Sequence, residues 1–188
     1  MKRMSWLSVI MVLSLVVGIA FGKSDVGLKG IGAKIGYIMP ENPIDNTFGF
    51  GAVANLGKLS PKINFEAELL YWSKGYSESY FKWSYSQIYI SAFAKYFFPQ
   101  KKGAKWLPYA GGGLGLVIGK VKSEYTGEPI YGIHGSSSSE SNTDLGIHFL
   151  GGVKTKLSPT MDGFAELRYS IDGADFFGFF IGTIFKMN

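Results

Sequence analysis

Cysteine is absent from the 188-residue chain, and histidine occurs only twice. Without cysteine there is no disulfide framework and no lipid anchor on an N-terminal thiol. His134 and His148 lie far apart in the chain and nothing completes a zinc set, so neither a metal nor any other cofactor is expected. Charge of one sign is scarce too. The formal net charge is only +5, and Lys2 and Arg3 contribute to it from the extreme N-terminus, leaving an excess too mild to point to nucleic acid. No linker, charge block or repeat of fixed period divides the chain, so a single domain is expected. The longest apolar run, residues 6–21, is shorter than the roughly 20 residues that a membrane-spanning helix requires.

That run reads instead as a leader. Lys2 and Arg3 precede it and the pattern Ala20-Phe21-Gly22 closes it, the layout of a signal peptide. Residues 1–22 are therefore expected to be cleaved on export, with 23–188 as the mature domain. What is abundant is glycine, at 26 residues, and aromatic side chains, at 16%, a combination suited to tightly curved all-β structure.

Beyond the leader, apolar residues recur with a period of two in eight segments, at 27–39, 47–58, 62–74, 84–98, 107–121, 143–157, 162–171 and 175–187. Most are longer than the roughly five or six residues usual for soluble strands and match the roughly 9–11 that a tilted membrane strand needs. In 143–157, Leu145, Ile147, Phe149, Val153 and Leu157 oppose Gly146, His148, Gly152, Lys154 and Lys156. In 162–171, Ala165, Leu167 and Tyr169 oppose Glu166, Arg168 and Ser170.

Alternation alone fits a barrel with either face inward. Three features favour lipid outside. Gly30, Gly32, Gly36, Gly111, Gly113 and Gly115 share the face opposite the large side chains, as a narrow lumen requires. Tyr71, Trp83 and Tyr85 at one end, and Tyr96, Trp106 and Tyr109 at the other, suggest interfacial girdles. Short turns at 59–61, 99–106 and 158–161 alternate with connections at 40–46, 73–83, 122–142 and 172–174, two of which are the longest polar stretches in the chain; with periplasmic termini these face outward. The expected fold is all-β, an eight-stranded antiparallel up-and-down transmembrane β-barrel.

The leader, the stretch Pro108-Tyr109-Ala110-Gly111-Gly112-Gly113-Leu114-Gly115 and the aromatic final segment 176–185 resemble the small outer-membrane β-barrel superfamily, which includes the outer-membrane protein A and X types and the opacity-type barrels. The resemblance covers essentially the whole mature chain. It implies a location in a Gram-negative-type outer membrane, surroundings of membrane lipid and lipopolysaccharide, insertion by the barrel-assembly machinery, and an interior plugged by ion pairs. A monomer is expected.

The inward-facing charged set is Lys34, Glu66, Glu68, Lys95, His148, Lys154, Lys156, Glu166 and Arg168. Charges in a narrow lumen must pair or draw in water. If the turn at 158–161 sets Lys156 opposite Phe164, Lys154 opposes Glu166; the turn at 59–61 puts Val53 between Lys34 and Glu68. A selective pore is one reading, since basic groups outnumber acidic ones. A salt-bridged core that blocks conduction is the favoured one, because eight strands enclose only enough room for side chains.

His134, Ser136 and Glu140 invite a Ser-His-acid reading as a lipid-active hydrolase, but the serine run 136–139 reads as solvated loop, so no enzyme is expected. The Gly-x-Gly pairs near Gly30 and Gly113 precede no helical pattern and belong to strands. Tyr76, Tyr80, Phe81 and Trp83 in 73–83 suit either surface contact or an extended girdle. The function expected is therefore a non-enzymatic barrel with a plugged lumen, supporting envelope integrity and displaying 73–83 and 122–142 for contact or adhesion, with a small channel as the alternative.

Overall fold

The computed structural model describes residues 25–78, 80–101, 103–125 and 137–187, so the expected leader lies outside the described residues. Eight antiparallel strands follow one another: β1 (Asp25–Pro40), β2 (Thr47–Ser60), β3 (Ile63–Glu78), β4 (Phe81–Phe97), β5 (Trp106–Tyr125), β6 (Ser137–Lys156), β7 (Met161–Ile171) and β8 (Phe176–Lys186). Each pairs with its sequence neighbours, and β1 pairs with β8 from Gly30↔Lys186 to Pro40↔Phe176, which closes the barrel. Closure gives the transmembrane strands hydrogen-bonding partners on both sides, as hydrocarbon demands.

The period-two pattern becomes two walls. Ile35, Phe50, Leu69, Ile90, Leu114, Phe149, Leu167 and Ile181 stand outward and exposed around the ring, whereas the intervening side chains are buried. So much outward apolar surface, contributed by every strand, is a lipid-facing wall. The inward glycines make room for bulky neighbours: a Cβ on Gly36 would come within 2.2 Å of the Phe180 ring, and one on Gly115 within 2.2 Å of Ser91 Oγ. Gly57, at φ +89°, sits in an irregularity of the β1–β2 and β2–β3 pairing, where its N–H donates to Asn55 Oδ1.

The interior is layered. Toward the long-hairpin end lies an apolar layer of Ile38, Leu70, Trp72, Tyr89, Val117, Phe176 and Phe180, with Ile44 and Tyr85 packed against it. Toward the end with the short turns come the charged layer and then Phe97 with Tyr109, and Phe164 with Ile184.

Two expected loops, 73–83 and 122–142, are strand over most of their described residues, with 126–136 outside those residues. The β3–β4 ladder continues to Glu78↔Phe81, β4–β5 to Phe81↔Tyr125 and β5–β6 to Glu124↔Ser137. Neighbouring strands stop earlier, at Gly49↔Trp72 on one side and Ile147↔Ile171 on the other. A four-stranded sheet therefore extends about 20 Å past the Gly49↔Trp72 pair, at about 3.3 Å per residue along β3, with Thr47 Oγ1 donating to Ser73 O and Lys74 Nζ to Asn46 O at its base. Its polar serines mimic loop composition, but cross-strand pairing holds them extended.

The girdle expectation also needs correcting. Tyr96 and Trp106 are exposed on the outer wall, but Tyr109 is buried inside, and Trp83 and Tyr85 continue the inward-facing row of Gln87 and Tyr89.

Candidate functional site: the charged interior and the projecting sheet

Six of the anticipated charges meet inside the barrel. The Arg168 guanidinium on β7 donates to both carboxylate oxygens of Glu68 on β3 at 2.7 Å and to Glu166 Oε1 at 3.0 Å. Lys95 Nζ lies 2.8 Å from Glu166 Oε2 and 2.7 Å from Glu66. Lys34 Nζ is 2.6 Å from Glu68 and 3.5 Å from Glu166, and the Tyr109 hydroxyl donates to Glu166 at 3.1 Å. The Lys34–Glu68 contact is close in distance yet off the direction of a good hydrogen bond, since Lys34 Nζ has no hydrogen-bond partner. Phe93 and Phe180 flank the guanidinium at 4.5 and 5.2 Å, and Lys34 lies 4.1 Å over the Phe180 ring.

Three cations and three anions make this layer neutral. Its strength comes from mutual satisfaction, because each charge alone would face a desolvation cost of several kcal/mol. The layer leaves little open space. Around Glu66, Lys95, Tyr109 and Phe164 there is no room for a water-sized sphere.

The remaining three anticipated residues lie apart. His148 is fully buried between two serines, with Nδ1 2.9 Å from Ser170 Oγ and Nε2 3.1 Å from Ser91 Oγ. Lys154 does not oppose Glu166. The β6–β7 turn is tighter than expected, with the Leu157 and Ser158 amides both donating to Met161 O, so Lys156 pairs with Asp162 and Lys154 with Phe164. Glu166 consequently opposes Gly152, and Lys156 is left exposed at the rim. On the other side Val53 does oppose Glu68, whereas Lys34 opposes Gly51, so their ion pair is diagonal.

Tyr109, Ser91, Ser170 and Asp162 belong to these groupings although only polar periodicity could have revealed them. Tyr109 shares the inward parity of Gly111 and Gly113, and Ser170 that of Arg168. Of the hydrolase candidates, His134 and Ser136 lie outside the described residues, and Glu140 opposes Val121 on the projecting sheet. Among the described residues no cluster of His, Asp or Glu could hold a metal.

The aromatic candidates gather on the β3–β4 hairpin. Tyr76 and Trp83 stack with ring centroids 4.1 Å apart and planes 12° from parallel, and Phe81 packs on Tyr125 at 5.0 Å. Tyr80 is exposed at the tip. Beside the stack a groove of about 400 Å³ is lined by Tyr76, Trp83, Ser84, Lys82, Lys122 and Glu124.

A closed eight-stranded ring with an apolar outer wall and an ion-paired interior defines an outer-membrane type of β-barrel. The chain belongs to the outer membrane protein beta-barrel domain family, whose model matches residues 8–180. No curated protein sequence matches it. Among solved structures it is similar to Ail, the attachment invasion locus protein of Yersinia pestis, at 15% identity and a TM-score of 0.60, covering 86% of this chain and 99% of that one. It is likewise similar to Neisserial surface protein A, at 20% identity and a TM-score of 0.62, covering 84% and 96%. A second Ail structure, in complex with the heparin analogue sucrose octasulfate, matches with a TM-score of 0.57 and 16% identity over 86% and 99% of the two chains. The chain is thus an outer-membrane β-barrel protein.

Proposed function

We propose that this barrel is a non-enzymatic scaffold with a closed interior that supports the envelope and presents its projecting sheet for contact with anionic glycan at another surface. In this reading residues 1–22 are removed on export, the barrel-assembly machinery inserts the mature chain as a monomer, and both termini face the periplasm. Lipid and lipopolysaccharide then surround the outer wall. The observation that carries the contact role is the projection itself: β3–β6 run on as paired strands, braced by the Tyr76–Trp83 stack, with Lys120 and Lys122 alternating along β5 and Lys82 opposite Glu124 on the same exposed face. Lysines on a preorganised sheet attract polyanions without an ordering cost.

Retention on immobilised heparin tests this. The folded protein should be retained and released by salt, and the combined Lys82→Gln, Lys120→Gln and Lys122→Gln variant should bind at least tenfold more weakly. Equal binding by the variant would remove the anionic-glycan reading.

Enclosure supports the absence of catalysis, since the serine–histidine contacts at His148 lie sealed in the core with no space for substrate. The channel reading has the charged residues in its favour, but their pairing into a neutral layer speaks for closure.

A further inference from the structure

At the short-turn end the barrel opens into a vestibule of about 250 Å³. Its polar lining is Lys58, Lys62, Asn64, Lys154 and Asp162, with Phe97 as an apolar wall. Lys154 is the unusual member. Its side chain is only 9% exposed, yet its nearest carboxylate oxygen, on Asp162, is 3.7 Å away, beyond hydrogen-bond reach. Asp162 is already engaged, because Lys186 Nζ sits 2.6 Å from its other oxygen. The Phe97 ring centroid, 5.6 Å from Lys154 Nζ, supplies only a weak cation–π contact. Lys58 and Lys62, both exposed at the rim, have no ion pair among the described residues.

A buried ammonium has three donors to satisfy, and leaving them unmatched is costly. Among the described residues the other two buried ammoniums each have a carboxylate oxygen within 2.8 Å, Lys34 from Glu68, although without a well-directed hydrogen bond, and Lys95 from Glu66 and Glu166. Of the three, Lys154 alone lines the open volume, and Lys58 and Lys62 line it from the rim. The floor beyond it is shut, since the space bounded by Glu66, Lys95 and Phe164 admits no water-sized sphere. The geometry points to a dead-end pocket for a phosphate-group anion, with Lys154 donating at the floor, Lys58 and Lys62 neutralising charge at the rim, and the Asn64 amide as an additional donor. Such an anion is either a soluble phosphate or the phosphodiester of an anionic lipid whose head group folds over the rim; the ligand chemistry is the same.

The full-length mature barrel, folded in an uncharged detergent and isotope-labelled, tests the site by backbone amide shifts as inorganic phosphate is added. A second arm uses phosphate-buffer-free nanodiscs of phosphatidylcholine with and without phosphatidylglycerol. Saturable shifts at Lys58, Asn64, Phe97 and Lys154 are expected, and Lys154→Met should weaken binding at least tenfold. Shifts with inorganic phosphate alone identify a soluble ligand, and shifts with phosphatidylglycerol alone identify a lipid head group. Absence of saturable shifts in both arms, or undiminished binding in Lys154→Met, overturns the site. Should Lys154→Met fail to fold, the combined Lys58→Gln and Lys62→Gln variant, altered only at exposed positions, must weaken binding at least threefold, and unchanged affinity in it overturns the site equally.

Discussion

Single side chains in this barrel act as members of groups, so their removal has asymmetric effects. Arg168→Met leaves Glu68 and Glu166 without their shared guanidinium and should destabilise the barrel by about 3–5 kcal/mol, read as a lower urea midpoint in detergent. Adding Glu68→Leu restores neutrality in the layer, and the double variant should regain most of that loss. Asp172, just beyond β7, behaves differently. Burial, with the nearby carboxylates of Asp175 and Asp144 adding to it, pushes its carboxyl up to about 6, although the Ala174 amide and the Tyr89 hydroxyl partly offset this at Oδ1. A carboxyl raised in the fold is stabilising while protonated, so that contribution is full below the ordinary aspartate range and is lost as pH rises through about 6. The urea midpoint of the parent should therefore fall between pH 4.5 and 7 relative to that of Asp172→Asn. A flat difference across this range would contradict the assignment.

Among the strands, β3 to β6 differ from the rest by outrunning their neighbours. Their barrel portions are paired independently of the projection, from Ile63↔Tyr96 and from Trp106↔Thr155 upward. Replacing 122–140 by a short turn should consequently leave a closed barrel, detected as a folded band that changes mobility on boiling. Within the projection, a double-mutant cycle on Tyr76→Ala and Trp83→Ala should report a coupling of about 0.5–1.5 kcal/mol. These strand extensions were the least legible part of the fold. Serine, glutamate and asparagine in 137–142 carry no period-two contrast, because neither face of this part of the projection meets lipid or a packed core, and that contrast is what marks a strand in sequence. Where both walls are defined, as at Leu145 to Lys154, faces could be read directly. Register could not, since Lys154 and Glu166 share a parity with every other inward position and only the tightness of the 157–161 turn decides which ones meet.

For the molecule as a whole, the proposed closed interior predicts that no continuous water path runs along the axis. Purified protein in planar bilayers should show no reproducible conductance steps, and Glu166→Gln should not create a defined channel without also lowering stability. Steps that shift with Lys95 or Glu166 neutralisation would instead support a pore. The barrel architecture was readable from strand length, glycine placement and the outward apolar rows. The apolar half of the interior was not, because Ile38, Leu70, Val117 and Phe176 follow runs in which both parities are hydrophobic, and such runs conceal which residue faces in.

The charged layer also bears on how the ring can come together. Lys34 comes from the first strand, Glu68 from the third and Arg168 from the seventh, so their contacts cross the interior and span the β1–β8 seam. In an unzipped sheet Lys34 and Lys95 would already balance Glu66 and Glu68 on β1–β4, and Arg168 would balance Glu166 on β7, each set on its own flank. What arrives only when the seam shuts is the contact between the two sets, Arg168 with Glu68 and Glu166 with Lys34 and Lys95. These cross-lumen ion pairs thus work as a latch, leaving half-closed forms with incompletely paired charges in hydrocarbon and tying the completion of the last strand pair to the first.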